Sequence, residues 1–163
     1  MSSERERAVG SLYPTVLAFH RLSPHFSFSS TNYSPKRFEK LLAWRTHAGY
    51  RFGEPDQSIV ASAQPALGVT FDDGYRSFLT EAAPVLGEFG FAASVFVPTD
   101  YAGRQADWDA DGVASGEQVL SWEEMRELQE AGFRFYSHGL KHGHPVQFLR
   151  FFCQTGHRLP NLR

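Results

Sequence analysis

Ala66-Leu-Gly-Val-Thr-Phe71-Asp72-Asp73-Gly74-Tyr75 decides how the chain is read. An apolar run of strand length stops abruptly at two adjacent carboxylates and a glycine. Such a run, bounded by turn residues, reads as a strand buried on both faces, and Asp-Asp-Gly as the turn that ends it. The period then changes. Phe78, Ala82, Val85, Leu86 and Phe89 recur at i, i+4, i+7, i+8 and i+11, the stripe of a helix lying on a sheet. Pro84 inside that stripe predicts a kink or a late start, and Gly90 closes it. Residues 92–97 (AASVFV) form a second buried strand. Strand, helix and strand in this order make one crossover unit of a parallel sheet.

The same alternation extends both ways. Residues 14–20 (PTVLAFH) read as an earlier strand. After a loop containing Pro24 and Asn32, Ser34 caps a helix with Pro35 at its first position. Phe38, Leu41, Leu42 and Arg45 hold helical spacing, and the helix ends near Gly49. Residues 53–65, broken by Pro and Gly, read as a connector. Downstream, a long polar loop over 98–119 leads to a capping box of Ser121 and Glu124. Trp122, Met125 and Leu128 give the next helix its apolar face, Gly132 ends it, and residues 133–137 form a fourth strand that delivers His138. The expected fold class is therefore α/β, with mostly parallel strands and crossover helices. Three parts are expected: a charged tail over 1–13, a domain over 14–142 and an atypical tail over 143–163. That last segment has three Arg, no Asp or Glu, and a clump of Phe148, Leu149, Phe151 and Phe152.

Composition narrows the classes. The 163 residues are 42% hydrophobic and 21% charged, the balance of a chain with a real core. A net charge of −2, with no dense Lys/Arg cluster, gives no footprint for nucleic acid. No apolar run reaches membrane-span length, so no transmembrane segment is expected. The single Cys153 excludes an intrachain disulfide and a Cys-rich zinc module. Without a visible signal peptide, cytoplasmic location is the default expectation.

The chemistry gathers at two strand ends. Adjacent residues leaving a strand point to opposite sides, so Asp72 and Asp73 can divide two roles, one ligating a cation and the other accepting a proton. Taken alone, Asp-Asp-Gly is more often just a turn. His138-Gly-Leu-Lys-His142 has i, i+4 spacing, which places two imidazoles on one side of a helical turn. Taken alone, that too is more often a surface His-rich loop, and His144 competes as a donor. Both motifs directly follow predicted buried strands, however, and a parallel sheet brings them to one edge. One carboxylate with two imidazoles is a donor set for zinc, and acceptable to cobalt, nickel or iron. His20, ending the first strand, and Tyr75 are candidates to line the same site. Asp107-Trp-Asp109-Ala-Asp111-Gly112 has the alternating oxygens of a calcium loop, but Gln118 stands at the twelfth position, and a polar loop is the better reading. Phe26, Phe28, Tyr33 and Trp108 could stack on sugar faces, although core and loop anchoring is the commoner role of such rings.

The ordered motifs resemble the polysaccharide deacetylase family (carbohydrate esterase family four, chitooligosaccharide deacetylase-like). Leu17-Ala-Phe-His20-Arg is similar to its opening strand, and Thr70-Phe-Asp72-Asp73-Gly-Tyr to its first catalytic motif. Ala83-Pro-Val-Leu through Phe96-Val is like the helix and strand that follow. Ser137-His138-Gly-Leu-Lys-His142, led in by Leu120-Ser-Trp-Glu-Glu, is like the second motif. The resemblance implies a partial (β/α) barrel and a metal-dependent hydrolase that removes acetyl groups from N-acetylated polysaccharide or oligosaccharide. It implies Asp72 as general base, Asp73, His138 and His142 as metal ligands, and an acetylated carbohydrate as substrate. Neither later motif of the family is matched after His142: Arg158-Leu-Pro160 comes too early, and His157 is only nominally available as an acid. The expectation is thus a chain truncated after the second motif, with C-terminal strands missing. The alternatives are a non-catalytic metal- or carbohydrate-binding remnant, or a small-amide hydrolase on the same scaffold. Oligomeric state is left open.

Overall fold

The computed structural model describes residues 15–25, 31–53, 66–108 and 116–142. The tails over 1–13 and 143–163 lie outside the described residues, as do His144, His157, Arg158, Phe26, Phe28 and most of the calcium-like loop.

Among the described residues, seven strands and three α-helices follow in order: β1 (Thr15–Phe19), β2 (Arg21–Leu22), β3 (Asn32–Tyr33), α1 (Pro35–His47), β4 (Arg51–Gly53), β5 (Ala66–Phe71), α2 (Ala83–Phe89), β6 (Ser94–Val97), α3 (Trp122–Glu130) and β7 (Arg134–Ser137). β5 is the hub. β1 pairs along one edge from Thr15↔Leu67 to Phe19↔Phe71. The other edge is shared, with β4 on its first half and β6 on its second, and β7 then pairs with β6. Every pairing is parallel, so all five strands send their C-terminal ends to one edge. β2 and β3 make a separate two-residue parallel pair beside it.

The core lies between this sheet and the helices. Val69 and Phe71 of β5 and Val95 and Val97 of β6, at alternate positions, pack with Phe38 and Leu42 of α1, Leu86 of α2 and Met125 and Leu128 of α3. Phe71 is the centre of an aromatic cluster, 5.8 Å from Phe38, 4.9 Å from Phe78 and 5.4 Å from Phe19. The apolar stripe over 78–89 is helical throughout, but Phe78–Ala82 winds as a π-helix and the α-helix starts at Ala83. Pro84 thus sits where the π-helical turn gives way to the α-helix, a local widening that accommodates a residue without an N–H. The capping box forms as read: Ser121 N–H donates to Glu124 at 2.9 Å, and Glu124 N–H to Ser121 Oγ at 3.1 Å.

Several expectations need correction. Ser34 occupies the cap position of α1, but its side chain makes no capping hydrogen bond. Trp122 is not part of the apolar face of α3: it is 55% exposed at the helix start, and Met125 and Leu128 alone carry the burial. A fifth sheet strand, β4, occupies Arg51–Gly53, overlapping the start of the stretch read as connector. The helical turn expected over 138–142 is absent. Those residues form a loop in which Gly139 takes φ +88°, a left-handed value that ends any helical path.

Candidate metal centre

Asp73 is placed by a turn that only certain residues can make. Asp72 continues the ladder, its N–H donating to Phe19 O at 2.8 Å. The next two residues reverse hand, Asp73 at φ +67° and Gly74 at φ +58°. Asp73 is the only described non-glycine with positive φ, a conformation Asp tolerates better than most residues. The alternation expected for adjacent strand residues therefore fails between Asp72 and Asp73, because Asp73 has already left strand geometry.

Gly74 is required twice over. Besides its φ, a Cβ there would lie 2.7 Å from Val97 Cγ2, so the turn runs hard against the end of β6. This contact closes a gap. β5 and β7 are separated by β6, about 10 Å apart at ordinary strand spacing. The Asp73 turn spans that separation by leaning over Val97. A miniature antiparallel ladder holds it from behind: Leu120 N–H donates to Gly74 O and Arg76 N–H to Gln118 O, while Val119 N–H donates to Arg104 O.

The histidine loop leans in from the other side. His138 N–H donates to Val97 O at 2.8 Å, and the N–H groups of Thr99 and Asp100 donate to Gly139 O and Leu140 O. The 3₁₀ turn Thr99–Tyr101 after β6 thus grips the loop after β7 and curls it back. Three ligand atoms result, all within 4.8 Å of one another, from Asp73, His138 and His142. Asp73 Oδ1 lies 3.1 Å from His142 Nε2 and 3.6 Å from His138 Nε2.

The donor set fits a divalent cation. Asp73 is 4% exposed, and its Oδ1, buried, has no hydrogen-bond partner although an imidazole nitrogen lies 3.1 Å away. Leaving a buried carboxylate oxygen unsatisfied costs free energy, and a shared cation would remove that cost. Two nitrogens and an oxygen on one side also leave coordination positions open. His142 is held by packing: its ring stacks on Trp108 at 4.8 Å, and Trp108 is braced by Tyr101 at 4.6 Å and Tyr75 at 5.9 Å. Tyr101's phenol is raised above its usual pKa, chiefly by its hydrogen bond to Asp107 and then by desolvation.

The candidate residues thus separate into groups. Asp73, His138 and His142 converge. Asp72 is half-buried at the same strand end, one residue before the ligand turn. Tyr75 is buried in the core against Trp108 rather than bordering open space. His20 is half-buried at the end of β1. Tyr33 meets Phe19 edge-on at 5.3 Å, an anchoring contact. Trp108 is the residue whose part sequence reasoning missed. Its one signal was a large ring inside an otherwise polar loop.

Comparison with known proteins agrees with this architecture. The family profile described as polysaccharide deacetylase matches residues 60–150, spanning both the Asp-Asp and the His motifs. The chain is 26% identical over 133 residues to YxkH of Bacillus subtilis (strain 168), which is named among the polysaccharide deacetylases; the match covers 78% of this chain and 42% of that protein. Among solved structures it is similar to IcaB from Ammonifex degensii, with a TM-score of 0.66 and 26% identity over 77% of this chain and 52% of that one. It also shares its fold with the Streptococcus pyogenes deacetylase PplD, solved in complex with acetate, at TM-score 0.62 and 22% identity over 79% of this chain and 57% of that one. The chain therefore spans about half the length of these relatives, or somewhat less.

Proposed function

Since the chain belongs to the polysaccharide deacetylase family, whose (β/α) barrel its parallel sheet matches in part, we propose that it carries a metal-dependent centre for removing acetyl groups from N-acetylated polysaccharide or oligosaccharide. Asp73, His138 and His142 hold the cation, zinc being the first choice for this donor set. A bound divalent ion supplies a Lewis acid and makes water a usable nucleophile near neutral pH. The chain's own residues do the rest. Asp72 accepts the proton that the attacking water gives up. Its backbone N–H is committed to Phe19 O, so the residue is fixed relative to the sheet end while its carboxylate works. Trp108 keeps the His142 ring from turning away, and the buried flank of Asp73 keeps bulk water off one side of the reacting centre.

The observation that carries this reading is the unsatisfied Asp73 Oδ1 beside two imidazole nitrogens. Two measurements test it. Metal content of purified protein is compared with that of an Asp73→Ala/His138→Ala variant; equal content in both removes the ligand assignment. Acetate release from N-acetylglucosamine oligomers is measured with Asp72→Asn as control; release unaffected by that change eliminates Asp72 as base. Metal retention without any acetate release would favour a non-catalytic binding role instead.

A further inference from the structure

The helices cover one face of the sheet. Val69, Phe71, Val95 and Val97 turn that way, into the core with α1, α2 and α3. The residues between them point to the opposite face. There the register aligns Ala18 of β1, Thr70 of β5 and Ser94 of β6 in one row, and Phe96 of β6 with Tyr136 of β7 in the next. Val16 lies on the same face, two residues before Ala18. None of these six side chains belongs to the core cluster. Val16 and Tyr136 are 43% and 47% exposed, and Ala18 is exposed too. Sheets made only of parallel strands occur almost solely with both faces covered. We propose that the chain's own residues 148–152 (FLRFF) dock on this second face, against Val16 and the Phe96–Tyr136 pair.

Chain length and apolarity identify the occupant. Phe148 comes six residues after His142, a reach of about 20 Å in extended chain. β7 has four residues, or about 13 Å at the rise of a strand, so the segment can return along the whole face from the loop that follows β7. Four of its five side chains are large and apolar, and left in water they would form a patch of the kind soluble chains bury. The face supplies the matching surface: the rings of Phe96 and Tyr136 stack at 5.4 Å, with Val16 on the far edge. A linker this short also keeps the segment at millimolar effective concentration, which favours it over a separate molecule.

The centre of the face carries a further sign of a cover. Ser94 is 1% exposed and its buried hydroxyl has no hydrogen-bond partner, although α1, α2 and α3 pack on the other side of the sheet. The middle row is thus already removed from water. The face also leads to the ligand cluster, because the ring of Phe96 lies 6.4 Å from that of His138. A segment docked there stands beside the histidine loop from which it departs.

Cys153, the single cysteine, directly follows Phe152 and serves as the reporter. A second cysteine is placed on the face, as Val16→Cys or Tyr136→Cys in separate proteins, or on the outer side of α1 as Ala43→Cys. All three positions are exposed, so the fold is expected to survive, and cooperative urea unfolding checks that it does. The full-length proteins are oxidised with glutathione disulfide at micromolar concentration and read on gels with and without reductant. At least one face variant should close an intrachain disulfide about tenfold faster than Ala43→Cys, since the bond needs Cα atoms within about 7 Å. Adding Phe148→Ser/Phe151→Ser/Phe152→Ser should remove that advantage. Rates equal to the control, or an advantage that survives the three serines, overturn the docking. A disulfide between two chains in the face variants assigns the face to a second copy and overturns it as well.

Discussion

Replacing Gly74 by alanine tests whether the ligand turn is held over β6 as described. Two costs arise. Alanine in the left-handed region is disfavoured by roughly 1–2 kcal/mol. The new Cβ would also stand 2.7 Å from Val97 Cγ2, 3.0 Å from Cγ1 and 3.2 Å from Cβ. Rotating the valine cannot clear its own Cβ, and its χ1 is stiff, so the overlap must move backbone, at about 1–3 kcal/mol. The single substitution should therefore cost about 3 kcal/mol. Val97→Ala alone removes two buried methyl-sized groups, at about 2 kcal/mol. In the double variant the overlap is largely relieved and the methyl partly fills the cavity, which leaves mainly the backbone strain. The pair should then cost about 3 rather than 5 kcal/mol, a coupling near 2 kcal/mol. Urea unfolding of the four proteins measures it. Additive costs, within about 0.5 kcal/mol, would refute the contact between the Asp73 turn and the end of β6.

Further outcomes are expected. Zinc at a hundredfold excess over its Kd should stabilise the chain by about 2.7 kcal/mol, and His142→Ala should abolish the shift in thermal midpoint. Trp108→Ala, which frees the His142 ring without removing a ligand, should weaken zinc binding by about tenfold in a competitive chelator titration. Burial would raise the Glu124 carboxyl, but hydrogen bonds from Ser121 and Arg76 outweigh it and hold the group below its usual pKa. Stability from Glu124 is therefore fully present above the unfolded-state value near pH 4.3 and is lost as pH falls through the lower folded value; an acid titration of stability should be shallower there in Glu124→Gln. Leu86→Ala, at a fully buried core position, should cost about 2–5 kcal/mol in the same urea assay.

Much of the frame was legible because its signals were long or chemically distinctive. The apolar run before Asp72, the stripe from Phe78 to Phe89 and the Ser121–Glu124 box each specify one local structure, and each forms. β4 escaped because Arg51–Gly53 is too short to show a period, and it is a strand only by its pairing with β5. The convergence of Asp73, His138 and His142 was legible from the parallel topology, but the backbone that achieves it was not. Spacing of four between histidines suits a helical turn and a curled loop equally; the decision falls to Gly139 and to carbonyls held by Thr99 and Asp100, contacts made between distant parts of the chain. Trp122 was misread because helical spacing cannot tell a first-turn residue covered by the sheet from one beyond its reach.

The order of β5, β6 and β7 has a consequence for biosynthesis. Asp73 leaves the ribosome well before the histidines, and it faces them only when β7 has docked on β6. A cation demanding all three donors, as proposed above, would be captured only at that late stage, so its loading would act as a checkpoint on completed assembly.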